Sequence, residues 1–160
     1  MKPNGLAIFK SNDICPVSAD STLPFAQHRD IFYLSGVDQE ETVLLLFPDA
    51  HNPADREILF VTETNAEIAI WEGAKLTKAQ ATNQTGVRQI QWVSVLEKTL
   101  QRLVTESSCC YLHQNEHTRA SVVVETREAR FNRWFTETYP HTRIERSAPI
   151  LHRTRSVKSE

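Results

Sequence analysis

The stretch that decides the fold is Thr42-Val43-Leu44-Leu45-Leu46-Phe47, a run with five consecutive apolar residues that Pro48 closes. An extended segment of this kind is apolar on both faces, which is typical of a central strand with helices above and below it. Residues 57–62 follow after a turn and have a similar apolar core. Because consecutive strands with a short connection usually pair, we predict a hairpin between the two segments.

Further elements surround this pair. Short apolar segments bounded by turn residues predict strands at residues 6–9, 90–92, 109–112 and 142–145. Helical spacing and capping residues predict helices at residues 65–71, 77–86, 94–104 and about 120–138, the third opened by a Ser94–Glu97 capping box. Residues 31–34 form another apolar run, which stops at Ser35-Gly36. Because strands and helices mix without strict alternation, we predict an α/β domain with a mixed central β-sheet flanked by helices.

Composition narrows the classes of function. The chain has 160 residues, which suits one domain with a buried core. Its 18 Lys and Arg residues nearly balance 20 Asp and Glu residues, so the basic surface of a general nucleic-acid-binding protein is missing. No apolar run approaches the roughly 20 residues that span a bilayer, and we expect no signal peptide. The odd cysteine count, with Cys15 and the adjacent Cys109-Cys110, predicts reduced, buried thiols in a cytoplasmic protein.

Motifs for catalysis are scarce. No glycine-rich phosphate loop and no nucleophile elbow is present. Residues 113–117 read His-Gln-Asn-Glu-His and fit the zinc pattern H-x-x-E-H. That chemistry needs both histidines on one helical face, whereas this segment follows a predicted strand, so we interpret it as a polar turn. The residues alone predict no catalytic and no metal-binding side chain.

The long loop at residues 10–24 is the first place to look for function, since loops of this length in compact domains are often functional. A sequence block at its end supports this. Residues 18–37 read SADSTLPFAQHRDIFYLSGV, close to S-A-D-x-x-x-P-[FY]-x-Q-x-x-D-F-[YW]-Y-[LF]-[ST]-G-[FV]. The block resembles the N-terminal domain of Xaa-Pro aminopeptidases (aminopeptidase P), of creatinase/prolidase type. The resemblance continues at residues 40–46, 58–60, 67–73 and 155–160.

The resemblance implies a creatinase-type N-terminal domain of ribonuclease H-like architecture at residues 1–150, and a linker at residues 151–160 into a catalytic domain of pita-bread type. The full-length protein would be a manganese-dependent metallopeptidase, a hydrolase that removes the N-terminal residue ahead of proline. Its two Mn²⁺ ions would be held by Asp, Asp, His, Glu and Glu beyond this chain, so we expect the chain alone to be inactive. A helix cap at Ser159 with only Glu160 behind it also predicts a longer polypeptide.

The resemblance further implies a role for two residues in a neighbouring subunit's active site. In the family this domain approaches the active-site mouth of a neighbour, so a homo-oligomer (dimer or tetramer) and contacts with its own catalytic domain are expected. Asp20 matches the loop aspartate and could attract the α-ammonium of a peptide with proline at position 2. Trp71 matches a family tryptophan and could offer the substrate an apolar face. The alternatives are a turn-capping Asp20 and a Trp71 packed on the sheet.

Other functions stay open from the sequence. The same domain occurs in non-enzymatic pseudo-peptidases that bind proteins, and prolidase and creatinase relatives share the fold with different substrates. The nearly neutral charge does not favour a histone partner, which prefers an acidic surface. The S-A-D block favours aminopeptidase P. One departure is that His28 and Arg29 stand where the family often has small polar residues.

Overall fold

A mixed β-sheet forms the centre of the molecule. The computed structural model describes residues 1–18, 21–114 and 125–157. Within these ranges the strands are β1 (Gly5–Lys10), β2 (Pro16–Ser18), β3 (Ser21–Thr22), β4 (Val43–Leu46), β5 (Glu57–Val61), β6 (Gln89–Trp92), β7 (Cys109–Leu112) and β8 (Ile144–Arg146). The α-helices are α1 (Arg29–Ser35), α2 (Ala66–Glu72), α3 (Lys78–Thr85), α4 (Leu96–Glu106), α5 (Arg127–Thr138) and α6 (Ala148–Ser156).

The main sheet has the order β6-β5-β4-β1-β7-β8, and β2 and β3 pair separately. β4 is antiparallel to both of its neighbours, with Leu45 opposite Ile8 of β1 and Ile58 of β5. The other three pairs in this sheet are parallel. The predicted central strand, its hairpin with β5 and the mixed α/β architecture are therefore confirmed.

Two hydrophobic cores lie on opposite faces of the sheet, because successive residues of each strand point to opposite sides. Leu45 of β4 packs in the core that includes Leu100 of α4 and Phe135 of α5. Leu44 packs in the other core, which contains Ile31 of α1 and Leu151 of α6. The apolar run thus serves both cores, which explains why it contains no polar residue.

Several predicted boundaries differ from the observed ones. The predicted capping box at Ser94 is wrong: a 3₁₀ turn at Val93–Val95 precedes α4, and no side-chain cap is formed there among the described residues. The apolar run at residues 31–34 lies in helix α1. Helix α5 begins at Arg127, after its N-cap Thr126. Helix α6 crosses the predicted boundary at residue 150, and the position of that boundary stays a prediction.

The cysteines are not all alike. Cys109 and Cys110 are buried in β7 as predicted, and burial raises the pKa of the Cys110 thiol to about 11. Cys15 is exposed, so the prediction of three buried thiols is wrong at this position. It lies in the loop directly before β2. Among the described residues, no helix is both long and apolar enough to cross a membrane.

One edge of the sheet gathers polar residues. β1 and β7 run parallel, with Ile8 beside Leu112, so both strands end at the same edge. Lys10 is the last residue of β1 at this edge, Ser11 follows it, and His113 follows β7. This edge is the place where residues from distant parts of the sequence meet.

Candidate functional site

A cavity of about 770 Å³ opens at this edge. Its wall comes from the β1–α1 loop, the end of β7, the first turn of α5 and helix α6. The titratable and nucleophilic side chains along it include Asp13, Cys15, His28, His113, Glu128 and His152. The cavity therefore combines residues that are far apart in the sequence.

Three of these side chains converge. His113 follows β7 and is 5% exposed, while Glu128 lies in the first turn of α5. His28 is the N-cap of α1, and its Nδ1 accepts a hydrogen bond of 3.3 Å from the backbone N–H of Asp30. The Glu128 Oε2 atom lies 3.4 Å from His113 Nε2 and 3.7 Å from His28 Nε2. A carboxylate oxygen thus stands between two imidazoles.

The two imidazoles stack on each other. Their ring centroids are 4.4 Å apart and their planes differ by 11°. Phe9 of β1 continues the stack, 6.1 Å from the His113 ring. The pKa of His113 falls to about 3, chiefly because burial disfavours the charged ring, and further because of the charges of His28 and Lys10. His113 is therefore neutral at neutral pH and keeps a nitrogen lone pair for a donor or a metal ion.

A buried lysine lies near this group. Lys10 is the last residue of β1, and its ammonium lies 4.1 Å from the centroid of the Phe131 ring. The Lys10 pKa is lowered to about 7, chiefly by burial and to a lesser degree by the charge of Arg127. Since Lys10 titrates near neutrality, the positive charge beside the cavity depends on pH.

The two residues predicted to serve a neighbouring active site have different outcomes. Asp20 lies outside the described residues. Trp71 lies on α2 and is 88% exposed. It does not pack on the sheet, which contradicts the alternative interpretation, and it does not line the cavity. The structure therefore does not bring Trp71 and the cavity together.

Only part of the zinc-like motif at residues 113–117 lies within the described residues. Residues 115–117 lie outside the described residues, so only the first histidine of H-x-x-E-H is placed. Its described neighbours are His28 and Glu128, which come from other elements. Sequence reasoning missed both partners because no local spacing joins residues 28, 113 and 128. The one available signal was the unusual histidine at position 28 of the family-like block.

The described residues do not suit the two Mn²⁺ ions that the resemblance implies. Among residues 1–18, 21–114 and 125–157, the group able to hold an ion is His28, His113 and Glu128. A two-metal site needs several oxygen ligands that bridge the ions, and manganese prefers carboxylate, carbonyl and water oxygens. Two imidazoles with one carboxylate do not meet that need. No step of peptide hydrolysis is assigned to this group.

Comparison with known proteins decides the family. The family model described as the aminopeptidase P N-terminal domain matches residues 1–112. This chain belongs to that family. The match spans the family-like block at residues 18–37, together with the first seven strands of the described fold. The predicted resemblance is therefore confirmed.

Relatives extend the match beyond residue 112. A Xaa-Pro aminopeptidase of Escherichia coli (strain K12) is 28% identical over 163 aligned positions, covering 99% of this chain and 36% of that protein. A Bacillus anthracis protein assigned to aminopeptidase P has the same fold, with a TM-score of 0.85, 21% identity, and coverage of 99% of this chain and 38% of that one. The aminopeptidase P N-terminal domain described here thus spans about a third of the length of these relatives.

A metal-containing relative also shares the fold. Zn-substituted aminopeptidase P from Escherichia coli, in complex with product, aligns with a TM-score of 0.72 and 27% identity. The alignment covers 99% of this chain and 36% of that one. Nearly two thirds of the E. coli enzyme therefore lies outside the region shared with this domain.

Proposed function

We propose that this chain is the non-catalytic N-terminal domain of a cytoplasmic Xaa-Pro aminopeptidase, which removes the N-terminal residue of a peptide ahead of proline. The domain supports a homo-oligomer, limits substrate access and lends residues to a neighbouring active site. The full-length enzyme uses two Mn²⁺ ions held outside this chain. The family match supports the proposal, and the relatives named as Xaa-Pro aminopeptidases supply its substrate class.

The observation that carries the proposed role is the exposure of helix α2. None of its seven residues is buried, and Ile70 and Trp71 are 76% and 88% exposed. A tryptophan placed in water gives the isolated domain little stability, whereas tryptophan is enriched where surfaces are recognised. Asn65 caps this helix by accepting the N–H groups of Glu67 and Ile68, so the apolar pair is presented on an ordered turn.

Asp20 enters the proposal through the sequence block alone. The α-ammonium of a peptide is largely charged at neutral pH, since its pKa is about 8. A carboxylate at the mouth of a neighbouring active site would attract that charge and orient the peptide with its N-terminus inward. Trp71 would contact the apolar proline or the residue beyond it.

The test uses the full-length polypeptide that carries this domain. Its reading frame is first checked for the five metal ligands, and kcat/KM is then measured on a short peptide with proline at position 2. We expect Asp20→Asn and Trp71→Ala each to lower kcat/KM by about 10-fold or more, in the range of interface residues that matter. Glu63→Gln and Val95→Ala, two exposed positions elsewhere, are the matched controls.

Each part of the proposal can fail separately. Sedimentation of the same variants shows whether Trp71 acts through assembly or through the substrate. A full-length protein that lacks the metal ligands, or that does not cleave the peptide in the presence of Mn²⁺, would contradict the peptidase assignment and favour a protein-binding module. Normal kcat/KM in both variants would leave the peptidase assignment standing and remove the role in trans.

A further inference from the structure

The group formed by His28, His113 and Glu128 is not used by the proposed function. Its ligand atoms all lie within 4.8 Å of one another, although they come from the start of α1, the end of β7 and the first turn of α5. The His113 side chain is only 5% exposed, and its Nδ1 has no hydrogen-bond partner among the described residues. The Nε2 atom of the same buried ring faces the Glu128 carboxylate, so this nitrogen is the one that the ring offers to an ion.

The distances fit a small divalent ion. Ligand atoms at about 2.0–2.1 Å from a tetrahedral Zn²⁺ lie about 3.3–3.4 Å from each other. The separation between His113 Nε2 and Glu128 Oε2 is 3.4 Å, and that between His28 Nε2 and Glu128 Oε2 is 3.7 Å. Two of the three ligand edges are therefore already close to the tetrahedral value.

One ring has to turn before both histidines can bind the same ion. A ligating imidazole points its lone pair at the metal in the ring plane, whereas these rings lie face to face. His28 is the residue able to turn, because its side chain is 25% exposed and its backbone-capping bond is long at 3.3 Å. His113 is held in the core and can keep its position.

The surroundings set the charge of the site. The positive charges of Lys10 and Arg127 disfavour a cation at this site. Because the pKa of Lys10 is about 7, its ammonium loses most of its charge above neutral pH. Asp13 and Asp30 line the same cavity and are paired with Arg130 and Arg155, respectively. An ion held by two imidazoles and one carboxylate keeps one positive charge, which the two cavity acids, already paired with arginines, do not neutralise.

The geometry points to a new site: we propose that His28, His113 and Glu128 bind one Zn²⁺ ion, with a fourth coordination position open to the cavity. Imidazole nitrogen suits zinc, whereas calcium and magnesium require oxygen ligands throughout. Two histidines and one glutamate with an open position form a donor set that zinc proteins use. The site is independent of the peptidase assignment, since every ligand lies in this chain.

The experiment uses the tag-free 160-residue chain after treatment with a chelator. Titration with Zn²⁺ by calorimetry is expected to show one ion per chain. Co²⁺ in its place is expected to give the visible absorption bands of a four-coordinate ion without a thiolate charge-transfer band. Ca²⁺ is expected to give no binding signal.

Variants decide which residues hold the ion. His28→Ala and Glu128→Gln are expected to weaken Zn²⁺ binding by about 10-fold or more, while the exposed histidine variants His51→Ala and His141→Ala bind as the parent does. Cys15→Ser is expected to keep the site, because the thiol lines the cavity but is not part of the ligand group. Circular dichroism checks that each variant is folded, so His113→Ala is interpreted only if its spectrum is unchanged.

Three results would overturn the proposal. The first is Zn²⁺ binding of unchanged affinity in folded His28→Ala and Glu128→Gln. The second is loss of binding in Cys15→Ser, which would place the ion on the exposed thiol. Absence of any Zn²⁺ or Co²⁺ binding by the parent chain also rejects the site, and none of these results bears on turnover by the full-length protein.

Discussion

Lys10 ends the central strand β1 as a buried residue, 8% exposed, and its pKa is about 7 in the folded protein. In the unfolded chain a lysine has a pKa of about 10.4. Between these two values the unfolded state binds more protons than the folded state, so the free energy of unfolding rises with pH. Below about pH 7 both states are protonated, and the cost of burying the charge is fully present.

This residue gives a pH prediction. Lys10→Met is expected to raise the free energy of unfolding at pH 6.5 and to remove a slope that approaches about 1.4 kcal/mol per pH unit above neutrality. Urea unfolding of the metal-free chain from pH 6.5 to 8.5 measures it. Lys78→Met is the control, because the Lys78 ammonium also lies over an aromatic ring but the residue is exposed. Parallel curves for the parent and Lys10→Met would contradict the burial argument.

Asp55 is 4% exposed and receives two hydrogen bonds from the Arg102 guanidinium, at 2.6 and 2.8 Å. Arg102→Ala leaves that carboxylate buried without its donors, and we expect a loss of about 1–3 kcal/mol of stability. The value stays below that of a fully buried pair because the Arg102 side chain is about half exposed. Arg133→Ala, which removes the exposed pair with Glu125, is expected to change stability by less than about 1 kcal/mol. Equal losses in urea unfolding would show that burial of Asp55 does not matter.

At the scale of single elements, the N-terminal caps of α3 and α4 can be compared directly. Thr77 and Gln80 form a capping box at the start of α3, whereas Ser94, in a similar sequence setting, precedes α4 without capping it. Thr77→Ala is therefore expected to lower the free energy of unfolding by about 1 kcal/mol, and Ser94→Ala by less than about 0.5 kcal/mol. Thermal or urea unfolding of the two variants measures the difference. A reversed order would mean that the Ser94 box forms in solution.

These two helices also show what the sequence can predict. The start of α3 was predicted correctly, because the helix begins directly after its cap, Thr77. The Ser94 box failed because β6 ends at Trp92 and the chain makes a 3₁₀ turn before α4, which moves the helix start past the serine. Strands such as β4 and β7 were predictable because their residues are apolar on both faces, a demand that the two cores impose.

The candidate site was far less predictable than the elements that hold it. His113 stood out in the sequence as part of a local motif, but its partners depend on the parallel pairing of β1 and β7 and on where α5 starts. Neither is encoded by local spacing. His28 and Glu128 lie 100 residues apart in the sequence, so only the tertiary structure brings them to one carboxylate–imidazole group.

At the scale of the whole molecule, the stability of two aromatic variants distinguishes a surface residue, Trp71, from a core residue, Phe135. Trp71→Ala is expected to change the stability of the isolated chain by less than about 0.5 kcal/mol, because the side chain is 88% exposed. Phe135 of α5 is fully buried in the core, so Phe135→Ala is expected to lower the free energy of unfolding by about 3–5 kcal/mol. Urea unfolding compares the two. A large loss for Trp71→Ala would show that the tryptophan packs within the domain and would remove it as a surface for another subunit.

The absence of peptidase activity in the isolated chain is a prediction about the whole domain. Cleavage of a peptide bond by a metal site needs an activated water and a base positioned beside it. In the described residues the only grouped ligands are His28, His113 and Glu128, and Glu128 as a ligand is not free to act as that base. We therefore expect the 160-residue chain, with Mn²⁺ or Zn²⁺, to leave a Xaa-Pro peptide intact over hours, measured by mass spectrometry with the full-length polypeptide as reference. Turnover that disappears in a folded His28→Ala variant would instead make the domain a catalyst in its own right.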